Sequence, residues 1–567
     1  NHWTSNNLVA SDVVPDSPTN NFATLNPLAK SSAITTAEGN LEITQSANHG
    51  IIKSTIAQST GKWYCEVAIV SGASHTIGVA LNSSLVTANY IGHAADGYGY
   101  YSNGNKYTGS SASSYGASYT NGDVMGIALD MDGGTVTFYK NNASQGTAFS
   151  SLSGSFVFAI GNDVVNVTVA NFGQDSSFAG NETAQGNADG NGIGDFYYAP
   201  PSGFLALCTA NLPDPVATID PAQGGSPQDY FNTVLYTGTG SPLDVNTVGF
   251  QPDWVWLKQR NAADNHVLFD SVRGAATELY SNLTNAESGS TGSLTAFDSA
   301  GFNLGNSGDL GRYNESSSTY VAWNWKAGTA FSNDASATSV GNVDSTGSVN
   351  ADVGFSIIAK TNTGNDNQTV AHGLGVAPDL IIIKNRSTTG SWVLGYNTAG
   401  FNWANDYIQF DTGVEKGDGS GTVFGAAPTS TVFTTGSGIN GTNGVTQIAY
   451  CFASVDGFSK IGSYTGNGNA DGPFVYTGFR PAWVMHKRID GTGQWAILDN
   501  TRSPFNVANK HLYADGSNAE VTNTSFNLDY LSNGFKVRST NTYTNASGGT
   551  YIYMAFAEQP TKYANAR

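Results

Sequence analysis

The chain has 567 residues, too many for a single hydrophobic core, and this length predicts about three to five domains. Its 24 basic and 43 acidic residues give a net charge of −19, so a nucleic-acid backbone would be repelled and is excluded as a partner. The sequence has no run of about 18 apolar residues, so we predict no membrane insertion.

Only 12% of the residues are charged and 68 are glycine, which favours an all-β protein of short strands joined by turns. Cys65, Cys208 and Cys451 are odd in number and far apart, so we expect small buried apolar residues and no disulfide framework. The sequence begins at Asn1 without a signal-peptide pattern, which indicates a processed product or a portion of a longer one and does not support secretory export.

Residues 1–40 are polar and are predicted to form an extended N-terminal segment. Strands are predicted from Leu41 onward. In "GKWYCEVAIVSG" (61–72), alternate residues place Trp63, Cys65, Val67 and Ile69 on one face, the pattern of a half-buried strand. "GDVMGIALDMDGGTVTFYKNN" (122–142) predicts a hairpin that turns at Asp132-Gly133-Gly134.

Taken in order, "GKWYCEV", "IGVAL", "GYGYYSNGNKYTG", the hairpin above and "VTVANFG" resemble the successive strands of a SPRY domain. The resemblance covers about 130 residues, and we assign 41–180 to this domain. It implies a concanavalin-like sandwich of two antiparallel sheets that binds partners through loops at one edge and is not a catalyst.

Residues 181–228 are rich in Gly, Asn, Asp and Pro and are predicted to be a rigid connector packed by its aromatic residues. The chain then repeats itself. "GFQPDWVWLKQR" (249–260) returns as "GVAPDLIIIKNR" (375–386) and "GFRPAWVMHKR" (478–488), and "VAWNWK" (321–326) returns as "IAYCFA" (448–453) and "IYMAFA" (552–557).

We therefore predict three tandem β-sandwich-like repeat modules. The predicted bounds are 229–328 (repeat 1), 354–454 (repeat 2) and 455–560 (repeat 3), with a Ser-rich linker at 329–353 and a tail at 561–567. The linker has too little apolar content to fold alone. The Gly-x-x-Pro stretch is predicted to be the core strand of each repeat, because Trp254 and Trp256 are exchanged for aliphatic residues that keep a similar volume but could not stack on a ligand.

The repeats give little indication of chemistry. Lys258, Lys384 and Lys487 end the core strands and are predicted to lie at a solvated rim. Asp270 with Arg273, and Asp499 with Arg502, are candidate ion pairs, but repeat 2 lacks both, which disfavours a repeated active site.

Two candidate sites remain in the N-terminal half. Asn103, Lys106 and Tyr107 lie in a tyrosine-rich stretch where aromatic rings and amides suit a glycan, against the alternative that the tyrosines fill the sandwich core. "DGNGIGD" (189–195) spaces the oxygen donors Asp189, Asn191 and Asp195 as in a calcium loop, but it lacks the closing Glu, so an ordinary Asx/Gly turn is the alternative. No other cofactor is predicted.

No catalytic residue is predicted, and we expect a protein that is not an enzyme. Glu66 has no acidic companion on its strand, the histidines are scattered singly, and GxSxG, HExxH and Walker A sequences are absent.

"SPTNNFATLNP" before the SPRY-like region, "PPSGFLALCTANLPDP" after it and a C-terminal "YIYMAFAEQPTKYANAR" resemble a family of tail-fibre-like virion-surface proteins of bacteriophages. The resemblance implies an extracellular adhesin on the virion that contacts a host receptor or glycan and other virion proteins. It also implies a homo-oligomer, with a trimer the usual state of tail fibres. The alternatives are a capsid decoration or head-fibre protein and a polysaccharide depolymerase.

Overall fold

A computed structural model of the chain describes residues 15–17, 19–46, 49–84, 86, 89–162, 165–290, 292–398 and 400–564. The fold divides into two compact units. The first runs to Pro213 and includes Pro473–Gly478, and the second comprises Asp214–Gly472 and Phe479–Pro560. Both consist mainly of strands, which confirms the all-β prediction. No helix within the described ranges has the length and apolar character needed to span a bilayer.

The first unit is a sandwich of two antiparallel sheets, with the orders β1-β4-β13-β6-β7-β8-β9 and β12-β11-β10-β5-β14-β3-β2, and β15 runs parallel to β5. A 3₁₀ turn covers Glu38–Asn40. The strands up to Pro213 are β1 (Leu25–Lys30), β2 (Ile34–Ala37), β3 (Glu42–Gln45), β4 (Gly50–Ser54), β5 (Lys62–Ser71), β6 (His75–Leu81), β7 (Gly97–Tyr101), β8 (Asn105–Thr108), β9 (Ser111–Ser114), β10 (Val124–Asp130), β11 (Thr135–Lys140), β12 (Ala143–Phe149), β13 (Phe156–Asn162), β14 (Asn166–Asn171) and β15 (Leu205–Ala206).

The sandwich core follows the predicted alternation. The four side chains predicted to share a face of β5 are all buried in one cluster between the sheets. The predicted hairpin is β10 and β11, which pair up to Asp130 and Thr135. The three cysteines are buried and free, as predicted. The segment predicted to be extended differs, because β1 and β2 belong to the two sheets.

The connector packs on the outer side of β5. Phe196 is buried against Tyr64, at 5.5 Å between ring centroids, so the predicted aromatic packing is confirmed. Glu66 points away from the sandwich core but is fully buried beneath the connector. Its carboxylate accepts hydrogen bonds from the backbone N–H groups of Tyr197 and Tyr198, each at 2.8 Å. Glu66 therefore ties the connector to the SPRY-like sheet.

The stability of this attachment is expected to depend on pH. Burial raises the pKa of Glu66 to about 7, against the lowering effect of its hydrogen bonds. The folded chain holds this proton between about pH 4.5 and 7 while the unfolded chain has lost it, so stability falls as the pH rises through this window. Urea unfolding at pH 5 and pH 8 should show this decrease in the natural chain and a smaller one in Glu66→Gln, which has no proton to lose. Equal decreases would contradict the assignment.

The second unit contains the three repeats except for Pro473–Gly478 of repeat 3, which belong to the first unit. Repeat 1 comprises β16 (Phe231–Thr237), β17 (Leu243–Val245), β18 (Trp254–Gln259), β19 (Val267–Asp270), β20 (Thr277–Glu278), β21 (Ser288–Gly289), β22 (Leu294–Asp298), β23 (Gly301–Leu304) and β24 (Thr319–Trp325). β25 (Thr329–Asn333), α1 (Ala335–Thr338) and β26 (Ser345–Asn350) follow. Repeat 2 comprises β27 (Phe355–Thr361), β28 (Gln368–Ala371), β29 (Leu380–Asn385), β30 (Val393–Tyr396), β31 (Asp406–Gln409), β32 (Gly417–Asp418), β33 (Val432–Thr435), α2 (Ser437–Asn440) and β34 (Thr446–Phe452). From Ser459 onward the elements are β35 (Ser459–Thr465), β36 (Phe474–Tyr476), β37 (Phe479–Arg488), β38 (Ala496–Asp499), β39 (Lys510–Tyr513), β40 (Val521–Thr522), β41 (Leu528–Leu531), β42 (Gly534–Val537), α3 (Thr542–Asn545) and β43 (Thr550–Pro560). Short 3₁₀ helices lie at Ala217–Ile219, Pro221–Gln223, Pro227–Asp229 and Leu310–Arg312.

The main sheets of the three repeats have the same strand order: β16-β24-β18-β19, β27-β34-β29-β30 and β35-β43-β37-β38. Each main sheet is buried on both faces. In repeat 1, Val255 and Leu257 pack into a cluster of that repeat alone, whereas Trp254 and Trp256 face a cluster to which all three repeats contribute. Burial on both faces explains the unbroken apolar run of the core strand. The repeats therefore share one core.

The prediction of rim lysines is wrong. Lys258, Lys384 and Lys487 are completely buried. The Lys384 ammonium donates to the carbonyl of Thr284 in repeat 1 at 3.2 Å, and Lys487 donates to the carbonyl of Gly413 in repeat 2 at 3.2 Å. Burial lowers the pKa of each lysine to about 8. In repeats 2 and 3, a strand end that looks solvated within one repeat is covered by the preceding repeat.

The segment predicted as a linker also differs from expectation. Within 329–353, β25 and β26 pair with each other, and β26 pairs with β27 of repeat 2. A segment with few apolar residues can form strands in this position because it extends an existing sheet and does not need a core of its own.

Two similar polar networks join the repeats. One lies between repeats 1 and 3, and the other lies between repeats 1 and 2. In the first, Arg502 contacts Asp499 at 2.6 Å, both side chains are fully buried, and Trp323 of repeat 1 donates to the same carboxylate at 3.0 Å. In the second, Arg273 contacts Asp270, and the hydroxyl of Tyr450 of repeat 2 donates to that carboxylate at 2.7 Å. Two partly buried pairs, Arg260–Glu520 and Arg386–Glu287, extend these networks.

Among the residues that the structure describes, repeats 2 and 3 meet without such an ion pair. Strand register places Tyr396 where the other repeats carry Asp270 and Asp499, and Met554 where they carry Trp323 and Tyr450. Met554 has no donor for a carboxylate. The Tyr396 hydroxyl instead donates to the backbone carbonyls of Tyr553 and Gly462. This exchange explains why repeat 2 lacks the Asp and Arg pair.

The two ends of the second unit meet in space. The side-chain amide of Gln228, just before β16, donates to the carbonyl of Glu558 in β43 at 2.6 Å. Contacts thus run from repeat 1 to 2, from 2 to 3, and from 3 back to 1.

Candidate partner-binding surface

An aromatic surface lies on the outer face of the β7–β8 hairpin. Tyr107 of β8 and Tyr101 of β7 are 4.3 Å apart between ring centroids, and Tyr90 lies 5.7 Å from Tyr107. His93 is exposed beside Tyr90 at 5.4 Å, and His49 lies 5.6 Å from Tyr90 on another side. We call these five residues the tyrosine surface.

The loop before β7 lies flat on the sheet because two glycines permit close approach. A Cβ on Gly99 would be 2.6 Å from the carbonyl oxygen of Ile91, and one on Gly92 would be 2.3 Å from that of Tyr107. Ser110 holds the loop to the β8–β9 turn by donating its N–H to the carbonyl of Gly92 at 2.8 Å. The tyrosine surface is therefore supported by backbone hydrogen bonds and not by a free loop.

The three predicted ligand residues do not form one site. Strand register pairs Tyr107 with Gly99 and Lys106 with Tyr100, so Tyr107 and Lys106 take opposite faces. The Lys106 ammonium lies 5.1 Å from the ring of Phe149 and donates to the carbonyl of Ala148, which closes the sandwich edge. Asn103 is exposed and caps the turn by accepting the N–H of Asn105 at 2.9 Å. Of the three, Tyr107 belongs to the tyrosine surface.

Sequence reasoning missed Tyr90, His93 and His49. The first two lie in "YIGH" (90–93), a loop without periodicity, and His49 precedes β4. The alternative that the tyrosines fill the core holds for Tyr98 and Tyr100, which pack in the sandwich core, whereas Tyr101 faces outward.

The arrangement of the loop at 189–195 does not fit a calcium ion. The Asp189 carboxylate accepts the N–H groups of Asn191, Ile193 and Ala206 and the side-chain amide of Asn211 at 2.7–3.0 Å. The Asn191 amide donates to Asn211, and Asp195 donates its backbone N–H to Gly173. The Asp189 oxygens face N–H donors and are not directed at a cation, so this turn is an Asx turn. Over the described part of the chain, His, Cys, Asp and Glu form no group of three suited to a metal.

Residues 62–175 match the SPRY domain family, so the first unit carries a SPRY domain, as the sequence predicted. The domain of unknown function DUF7483 matches residues 226–560, more than half of the 567 residues, and spans all three repeats. The chain belongs to this DUF7483 family.

Curated relatives of this chain include several Ran-binding proteins. The Ran-binding proteins 9/10 homolog of Drosophila melanogaster is 32% identical over 125 residues, covering 21% of this chain and 13% of that protein. Human Ran-binding protein 9 is 33% identical over 124 residues, covering 21% of this chain and 17% of that protein. The protein of the same name from Xenopus laevis is 30% identical over 161 residues, covering 26% and 29%. The chain thus spans less than a third of the length of these relatives.

Solved SPRY domains are also similar to this chain. The SPRY domain of human HERC1 is 19% identical, with a TM-score of 0.24, and the match covers 26% of this chain and 96% of that one. The PSpry domain of TRIM65 is 17% identical, with a TM-score of 0.23, and covers 26% and 90%.

These relatives contradict the predicted function. The matching curated proteins are Ran-binding proteins of animals, so the assignment to bacteriophage virions is wrong, in the tail-fibre, capsid and depolymerase forms alike. The predicted virion-surface localisation is wrong for the same reason, and the comparisons do not support the predicted host-receptor and virion partners. The resemblance rested on short segments outside the SPRY strands. The predicted homo-oligomer stays a prediction.

Proposed function

We propose that this chain is a non-enzymatic protein that binds a partner protein through the tyrosine surface of its SPRY domain. The observation that carries the proposal is the cluster of aromatic rings that includes exposed His93 and half-exposed Tyr90 and Tyr107 on a rigid sheet face. Rigid tyrosines are frequent anchors at protein interfaces because they bury a large area at a low entropy cost.

Two further observations support this function. The curated relatives are named for binding Ran, which makes Ran the first partner to test. Glu66, the carboxylate considered for hydrolysis, is buried and holds the connector, which supports a role other than catalysis.

Tyr107→Ala is expected to weaken partner binding at least tenfold, because it removes the ring that contacts both Tyr90 and Tyr101. Titration calorimetry of the full chain with purified Ran measures this loss. If Ran does not bind, peptides selected against the full chain from a display library replace it. Tyr543→Ala, at an exposed tyrosine of the second unit, is the matched control and should bind as the natural chain does. If Tyr107→Ala and Tyr90→Ala both bind the ligand as tightly as the natural chain does, the proposal is overturned.

A further inference from the structure

The first strand of repeat 1 has an open edge. β16 pairs with β24 in an unbroken register from Phe231↔Trp325 to Thr237↔Thr319, and it is the outermost strand of its sheet. Hydrogen bonds to β24 and its flanks alternate: Tyr230 accepts from Lys326, and Gly238 donates to Ser318. Every second residue between Tyr230 and Gly238 therefore hydrogen-bonds to β24 through its backbone. The backbone N–H and C=O groups of the residues between them, Thr233, Leu235 and Thr237, point away from β24.

The equivalent edge of repeat 2 is occupied by the chain itself. β27 starts at Phe355, which pairs with Phe452 as Phe231 pairs with Trp325. β26 lies antiparallel along its outer edge, from Ser345↔Lys360 to Asn350↔Phe355. The occupying segment, "STGSVN" (345–350), has no charged residue. This edge therefore accepts an uncharged extended strand of small and β-branched residues.

The equivalent edge of repeat 3 is closed by the preceding turn. Val455 and Ser459 exchange backbone hydrogen bonds at 3.1 and 2.9 Å, and the N–H of Ile461 donates to the Ser454 hydroxyl at 3.0 Å. Of the three equivalent edge strands, β16 is thus the one whose outer edge pairs with no strand or turn in the described part of the chain.

β16 also lacks the features that usually protect an edge strand. Its sequence, "FNTVLYT", contains no charge and no proline, and its pairing has no bulge. Its start is buried, with Phe231 1% and Thr233 8% exposed, but Leu235 is 37% exposed and Thr237 is exposed too. The accessible edge therefore runs toward Thr237 and carries an exposed leucine.

We propose that the outer edge of β16 binds an extended segment of a partner protein by strand addition. The segment is antiparallel, uncharged and rich in Ser, Thr and Val, as is the strand that occupies the equivalent edge of repeat 2. Backbone hydrogen bonds to Thr233, Leu235 and Thr237 supply the affinity, and contact with Leu235 adds apolar burial. The net charge of −19 disfavours an acidic segment. This surface is separate from the tyrosine surface.

A labelled synthetic peptide of residues 345–351 tests the proposal against the full chain by fluorescence anisotropy. Saturable binding is expected. In the folded chain Ser348 pairs with Ile357 and its N–H points toward β27, whereas the N–H of Val349 points away from β27. N-methylation of the peptide at Ser348 should therefore weaken binding at least tenfold, and N-methylation at Val349 should change binding by less than twofold. Absence of saturable binding, or equal binding of the two methylated peptides, would overturn the proposal.

Leu235→Pro is the corresponding change in the protein. It removes an outward N–H without removing a bond to β24, so it should abolish peptide binding, whereas Leu235→Ala keeps that N–H and should reduce binding only slightly. Peptide binding that survives Leu235→Pro would place the site elsewhere, for instance at β27. Dimerisation of the full chain in light scattering that Leu235→Pro abolishes would assign the edge to a second copy and overturn the partner-protein proposal. If Leu235→Pro fails to fold, the binding of the two methylated peptides to the natural chain tests the proposal instead.

Discussion

Arg502→Met is expected to lower the free energy of unfolding of the chain by about 3–5 kcal/mol. Arg502 and Asp499 are fully buried, and the guanidinium donates to the Asp499 carboxylate at 2.6 Å and to the carbonyl of Ile497 at 3.0 Å. The variant leaves the Asp499 carboxylate buried without its cation, with Trp323 still donating to it. The large cost comes from this uncompensated charge and exceeds the net value of the ion pair itself.

Urea unfolding of the full chain, followed by tryptophan fluorescence, measures the effect of Arg502→Met. The matched control is Arg488→Met, because Arg488 pairs with Asp490 at the surface and its loss should change stability by about 0.5 kcal/mol or less. The same network recurs around Arg273, so Arg273→Met should be as damaging as Arg502→Met. A loss below about 1 kcal/mol for both variants would show that these pairs do not hold the repeats together.

Tyr396→Asp is expected to be similarly destabilising, by about 3–5 kcal/mol, although aspartate is the residue found at this position in the other two repeats. Its carboxylate would be buried where Met554 has no donor to offer, and the sequence has Ala399 where the other repeats carry the arginine. The shorter side chain would also leave the carbonyls of Tyr553 and Gly462 without the hydroxyl that donates to them. An unpaired buried charge is therefore created.

The pH dependence distinguishes this mechanism from a simple loss of packing. Burial raises the pKa of such a carboxyl group, so Tyr396→Asp should regain stability as the pH falls and the group is protonated in the folded chain. Tyr396→Phe, which keeps the ring and loses the hydroxyl, should cost about 1–2 kcal/mol and add no pH dependence. Equal losses for Tyr396→Asp at pH 5 and pH 8 would contradict the explanation.

The strand content and the three-fold repetition could be predicted from the sequence because they depend on local patterns. The alternation along β5 and the glycine turn of the β10–β11 hairpin each lie within about twenty residues. The position of Lys384 could not be predicted, because its acceptor, the carbonyl of Thr284, is 100 residues away on another repeat. The strands at 329–353 were missed for the same reason, since they form on a sheet edge that the chain supplies elsewhere.

The candidate site was harder to predict than the fold. Tyr107 and Lys106 are neighbours in sequence, and only the pairing with β7 shows that they take opposite faces. Asp189 has the spacing of a calcium ligand, but the donors that satisfy its carboxylate include Ala206 and Asn211, which no spacing rule connects to it. The donors to Asp189 lie 17 and 22 residues further along the chain, whereas Lys106 and Tyr107 depend on the register of a local hairpin.

The hydrogen bond between Gln228 and Glu558 has a topological consequence. The DUF7483 region begins and ends at one place. If another protein carried this region as an insertion, the two points of attachment would therefore lie close together, whatever the length of the region. The entropic cost of such an insertion grows only slowly with its length. Ends that lie this close together are the usual condition for tolerating insertion into another protein or circular permutation.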